Sequence, residues 1–156
     1  MEIILINIGK NHEAWVESGI KNYLSRLVHY IKFNVIALND TKSRLTNKSF
    51  QKDSEGNLIL EQINKSDFVV LLDEKGKSFT SNDFASWIEK KMNTGVKRLV
   101  FVIGGPFGFS QKVYERANQL ISLSSMTFTH DMAKLFFIEQ CYRAMTIIRG
   151  ESYHHD

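Results

Sequence analysis

Residues 99–110 read LVFVIGGPFGFS, residues 120–130 read LISLSSMTFTH, and a long apolar helical pattern follows as far as Arg149. Each of the first two segments is an apolar strand pattern running into a loop of glycines or small hydroxylated residues. Ligands of open parallel sheets bind outside the carboxyl ends of strands, and glycine there lets a backbone amide approach with no Cβ in the way. The pair predicts one small-molecule pocket, with the upstream chain as scaffold. Pro106, the only proline in the chain, sets a fixed bend in the first loop.

The chemistry of the two loops narrows the ligand. Residues 104–108, GGPFG, lack the G-x-G-x-x-G spacing and the G-K-[ST] ending of phosphate cradles, and they contain no lysine or arginine. In the second loop Ser124, Ser125 and Thr127 offer hydroxyls beside backbone donors and acceptors, while Leu123, Met126 and Phe128 supply apolar walls. That mixture suits a neutral heterocycle such as adenine. Thr129 or Asp131 then caps the last helix.

In that helix Ala133, Phe137, Cys141, Ala144 and Ile148 make one apolar line, and Leu135, Ile138, Tyr142 and Met145 make another, with Phe136 between. A helix apolar around most of its circumference needs cover on two sides, which points to its own sheet and a second copy of the chain. Glu139, Gln140 and Arg143 interrupt the pattern and are expected to pair across a contact or face a substrate.

Upstream, residues 3–8 form a nearly continuous apolar run ended by Gly9, as in a strand buried on both faces. Residues 13–30 repeat Trp15, Val16, Ile20, Tyr23, Leu24, Leu27 and Val28 at helical spacing, with Asn11 as N-cap and the stripe covering a sheet face. Phe33, Val35 and Ala37 alternate as an edge strand, and residues 39–48 form a polar loop in which Lys42, Arg44 and Lys48 could meet phosphates. A polar helix over residues 49–63 is anchored by Phe50, Leu58, Ile59 and Ile63 and weakened by Gly56. DFVVLLD, residues 67–73, is a buried strand ending in a turn over 74–77, after which Ser81 caps a helix through Phe84, Trp87, Ile88 and Met92, closed by Gly95. This alternation predicts an α/β fold with a mostly parallel sheet flanked by helices.

The 156 residues, 43% of them hydrophobic, suit a single domain spanning 1–156. No apolar run approaches the roughly 18 residues of a membrane span, and the opening MEIILINIGK reads as a strand, so a cytoplasmic protein is expected. The net charge of +3 permits a polyanionic partner without requiring one. Cys141, the only cysteine, lies in an apolar pattern and reads as a core residue. His154, His155 and Asp156 lack metal-ligand spacing, so no metal is expected. Tyr153 and the histidines could instead stack on, or hydrogen-bond to, an unpaired RNA base.

Taken together, VIGGPFG, SLSSMTFTH, FFIEQCYRA and RGESYHH resemble the RlmH family, the 23S rRNA pseudouridine N3-methyltransferases of the SPOUT superfamily. MEIILINIGK and FVVLLDEKGKSF fit its opening and middle, so the resemblance runs end to end. It implies a C-terminal deep trefoil knot and a homodimer, neither of which periodicity shows. It implies S-adenosyl-L-methionine as methyl donor, carried over onto Leu72, Gly104, Leu123, Ser124, Ser125, Met126, Thr127 and Phe128. The implied substrate is 23S rRNA within the large subunit or the whole ribosome. His130, Tyr153 and His154 are the catalytic candidates, with Arg143 and His155 as RNA contacts. The family commonly carries a basic residue directly after its Tyr–His pair, whereas this chain has His155 and then Asp156. Two other readings stay open: a SPOUT enzyme acting on another RNA such as tRNA, and a non-catalytic dimeric module that binds RNA or a nucleotide.

Overall fold

The computed structural model describes residues 1–9, 13–39 and 47–154. Among them, strands β1 (Glu2–Ile8), β2 (Lys32–Leu38), β3 (Phe68–Ser78), β4 (Arg98–Ile103) and β5 (Gln119–Ser122) form a parallel sheet in the order β2-β1-β4-β3-β5. The strands alternate with helices α1 (Ala14–Leu27), α2 (Lys48–Glu61), α3 (Ser81–Asn93), α4 (Gln111–Arg116) and α5 (His130–Ile148).

Successive side chains of a strand point to opposite faces, and here each face has its own core. Ile3, Leu5, Leu99 and Phe101 pack with α1, α3 and α5 on one face; Ile4, Ile6, Val100 and Val102 pack with α2 and α4 on the other. The continuous apolar runs of β1 and β4 therefore reflect burial on both sides. At the centre of the first core, Phe101 of β4 and Phe137 of α5 are fully buried with ring centroids 4.5 Å apart. Truncating either to alanine costs about 3–5 kcal/mol on general grounds. β2 lies at an edge and is half exposed, as its alternation predicts.

Several expectations are corrected. Trp15 is 59% exposed, because the stripe α1 buries is Val16, Ile20 and Leu27, and Trp15 is turned away from it. Phe50 is likewise exposed; α2 is held by Ile59 and by its Glu55–Gly56 step instead. Gly56 is more than a weak point: a Cβ there would collide with the Ser110 side chain of the glycine loop that α2 supports. Thr80, not Ser81, caps α3, accepting from the Asp83 amide at 3.1 Å. The turn expected over 74–77 is strand, since β3 runs on to Ser78 with an irregularity between Leu72 and Lys77. Asn11, Lys42 and Arg44 lie outside the described residues.

The last helix differs in a way that bears on assembly. α5 packs between α1 and α3, so Phe137, Ile138, Cys141, Tyr142, Ala144 and Met145 find cover within the chain. Apolar surface left outward is Phe136 with its ring partner Phe128, 5.1 Å away, and Met126. The helix's own apolarity thus demands less of a second copy than its sequence suggests.

Cys141 is fully buried, and burial pushes its thiol well above the usual range. Because the thiolate is the reactive form, iodoacetamide at neutral pH is expected to leave it unmodified in the folded protein and to modify it completely in denaturant, as read by intact mass. Among the described residues, no helix is long and apolar enough to cross a membrane.

Candidate active site

The strand ends on which the sequence places a pocket enclose a cleft of about 500 Å³, within the usual range for small-molecule sites of roughly 300–1,000 Å³. Three chain segments line it. β3 and β4 stay in register up to Leu72 opposite Ile103, so Asp73 and Gly104 emerge side by side at the carboxyl edge. From β4 the chain turns through Gly104–Gly108, and the loop after β5 closes the opposite side, with His130 and Ala133 contributed by the start of α5.

The first turn is closed by the Gly108 amide donating to the Gly105 carbonyl at 3.0 Å. Gly108 takes φ +76°, a conformation open to glycine and costly for side chains. Beneath the turn, a Cβ on Gly104 would lie 3.0 Å from the ring of buried Phe109, and one on Gly105 would collide with the buried Glu55 carboxylate. The turn is therefore bare backbone on its open side and closely supported below. In the second loop hydroxyls shape the backbone: Ser122 Oγ donates to the Ser124 carbonyl at 3.0 Å, and Ser124 Oγ accepts from the Met126 amide at 2.9 Å. Thr129 caps α5, accepting from the Met132 amide. Lys48 Nζ stands 5.5 Å from the Phe107 ring at the cleft wall.

Of the eight positions expected to hold the donor, Leu72, Gly104, Leu123, Ser124, Met126, Thr127 and Phe128 line this cleft. Ser125 shares the loop but is not among the lining residues. His130 lines the cleft; Tyr153, His154 and Arg143 do not. His155 lies outside the described residues.

Tyr153, His154 and Arg143 form a second cluster, where the tail folds back on α1 and α5. Glu139 is its hub. Its Oε1 accepts from Arg143 Nη2 at 2.6 Å, from Arg143 Nε at 3.1 Å and from the Tyr153 hydroxyl at 3.1 Å. The bond to Glu139 raises the Arg143 guanidinium further above its usual value, and the guanidinium lies 4.9 Å from the Tyr153 ring centre. Burial first, then the contacts with Tyr23 and Glu139, push the Tyr153 phenol up, so it stays protonated at neutral pH. Arg143 Nη1 is 3.3 Å from His154 Nδ1. A guanidinium only donates, so Nδ1 is the acceptor and a neutral His154 ring carries its proton on Nε2.

A family model described as "Predicted SPOUT methyltransferase" matches residues 1–154. The chain belongs to the SPOUT methyltransferase family. It is 54% identical to the ribosomal RNA large subunit methyltransferase H of Christiangramia forsetii, with 99% of each chain covered. The proteins of that name from Parabacteroides distasonis and Flavobacterium johnsoniae are 52% and 50% identical, covering 100% and 99% of each chain respectively.

Asp73, Lys75 and Tyr114 also line the cleft and lie outside the sequence expectations, whereas Phe107 belongs to the expected 104–108 loop. The rule that marked the ends of β4 and β5 applies equally to β3, whose DFVVLLD run stops at Asp73, so its carboxyl edge could have been flagged. Tyr114 is different: it reaches the cleft only because α4 folds beside the glycine turn. Its hydroxyl donates to Asp73 Oδ2 at 2.5 Å, and burial together with Asp73 pushes its phenol up to about 12.

Proposed function

We propose that this chain transfers a methyl group from S-adenosylmethionine to N3 of a pseudouridine in 23S rRNA of the large ribosomal subunit, acting as a homodimer on the assembled ribosome in the cytoplasm. The observation that carries the reading is the convergence of the Gly104–Gly108 turn and the 123–128 loop on one cleft, in a methyltransferase family member whose close relatives are named for ribosomal RNA. In the same reading residues 1–156 are a single domain whose C-terminal part is threaded as a deep trefoil knot.

The cleft fits an adenosyl donor on its own geometry. Gly104 and Gly108 leave main chain uncovered for close approach, and Leu72, Leu123, Met126 and Phe128 give apolar walls for a heterocycle. Bound there, the sulfonium supplies the electrophilic methyl, and the pseudouridine N3 proton must leave as the carbon–nitrogen bond forms. The catalytic candidates divide the remaining work. Tyr153 spends its one hydroxyl proton on Glu139 and so positions the tail, and His154 keeps its Nδ1 toward Arg143, which leaves His154 Nε2–H as the hydrogen-bond donor. A donor of this kind stabilises the charge that grows on the base carbonyls as N3 loses its proton. His130 stands at the cleft and is the residue to accept that proton. Since the tail cluster does not border the cleft of its own chain, the partner's cleft is where it acts in this reading, and Arg143 and His155 keep the RNA-contact role that the family resemblance implies.

The test pairs calorimetry of S-adenosylmethionine with methyl incorporation into assembled ribosomes, free 23S rRNA and tRNA. Binding of one donor per cleft and incorporation into ribosomes at pseudouridine N3 are expected. Incorporation into tRNA alone would replace the substrate, and RNA binding without donor binding would replace the enzyme with a binding module.

A further inference from the structure

β3 does something unusual beside the cleft. Leu72 pairs with Ile121 of β5, the chain then leaves the ladder, and Lys77 returns to the same partner. The excursion over residues 73–76 builds one wall of the cleft and sets Asp73 beside Gly104. Asp73 is held there from two directions: Oδ2 accepts from the Tyr114 hydroxyl at 2.5 Å, and Oδ1 accepts from the Lys75 amide at 2.8 Å.

An ionised carboxylate has about four lone-pair sites, and these two bonds use one on each oxygen. Two acceptor sites remain, one per oxygen, on a group whose plane is already fixed. Two neighbouring hydroxyls on adjacent carbons match that pattern, each donating to one oxygen. An ammonium suits it less well, because Lys75 lines the same wall and opposes a second cation. We propose that Asp73 recognises the cis-diol of the donor's ribose, with Tyr114 as the positioning residue that orients its carboxylate. The proposal rests on the reading of the cleft as an adenosyl site.

The experiment measures, by calorimetry, binding of S-adenosylhomocysteine and of its 2′-deoxy and 3′-deoxy ribose analogues to the wild-type protein, Asp73→Ala and Tyr114→Phe. Hydrogen bonds to a charged group set the expected scale: the wild type should bind at least one deoxy analogue about 10- to 100-fold more weakly than the parent. In Asp73→Ala that gap is expected to shrink to within about threefold, and in Tyr114→Phe to an intermediate value. A residue that merely supports the wall would lower all three affinities together and leave the gap intact, which would overturn the proposal. Should Asp73→Ala fail to fold, Asp73→Asn keeps the shape with a neutral acceptor, and a reduced gap is expected there too. Equal binding of parent and deoxy analogues by the wild type overturns the role of Asp73 alone. No binding of S-adenosylhomocysteine at all overturns the adenosyl reading, and this inference with it.

Discussion

Gly76→Ala is expected to lower stability by about 3 kcal/mol or more, at the upper end of overpacking costs. For a chain of this size that corresponds to a fall in Tm of roughly 6–12 °C. The size of the effect follows from what a methyl group would meet. A Cβ at Gly76 would lie 2.5 Å from the Ile121 nitrogen and 2.6 Å from the carbonyl carbons of Ile121 and Leu120, all of them backbone. Backbone cannot rotate aside as a side chain can, so β3 and β5 must separate where the excursion rejoins the ladder. Asp73 moves with that wall, and donor binding should fall along with stability. Gly19→Ala is the control, because a Cβ there meets only the flexible end of Leu135, at 3.0 Å. In the helix that substitution should be neutral or gain up to about 1 kcal/mol. An unchanged melting curve for Gly76→Ala would mean that the two strands are not in this close register.

The contrast between those two glycines shows where sequence reading stops. The buried strands were legible because burial on both faces leaves an unbroken apolar run, as in residues 3–8 and 99–103. The two cleft loops were legible because glycine and small hydroxylated residues at strand ends have few other uses. The excursion of β3 was not. EKGK has the composition of an exit turn, and the need for Gly76 comes from β5, over 40 residues on, not from its neighbours. Helical periodicity locates the stripe of α1 but not its edge, so it places Trp15 inward although that side chain is 59% exposed. For the tail, residue chemistry singled out Tyr153 and His154, while Tyr23, whose hydroxyl lies 3.4 Å from that of Tyr153 across 130 residues of chain, has no local signature. Side chains that meet only through tertiary packing leave little trace in local pattern.

The second large effect tests the proposed division of labour between two copies of the chain. His154→Ala removes a donor held by Arg143 and is expected to lower kcat on ribosomes by about 10²- to 10³-fold, the usual cost of losing one charge-stabilising donor. Donor binding should be unchanged, since His154 does not line the cleft. Gly104→Val is its complement: the branched side chain presses on the buried Phe109 ring, displaces the turn and should abolish donor binding while the tail cluster is untouched. Each variant alone is expected to be nearly inactive. When the two are unfolded together and refolded as an equal mixture, half of the dimers pair one variant with the other. If the tail serves the partner's cleft, each mixed dimer has one complete site, joining the intact cleft of the His154→Ala chain to the intact tail of the Gly104→Val chain. Activity should then recover to about a quarter of wild type, from half the dimers with one of two sites working. If the tail serves its own cleft, no mixed dimer has a complete site and the mixture stays as inactive as its parts. Circular dichroism and size-exclusion chromatography of each variant separate a failure to fold or pair from a failure to complement. Recovery in the mixture requires both a dimer and a site shared across it, and a folded, dimeric but inactive mixture would leave Tyr153 and His154 outside the partner's active site.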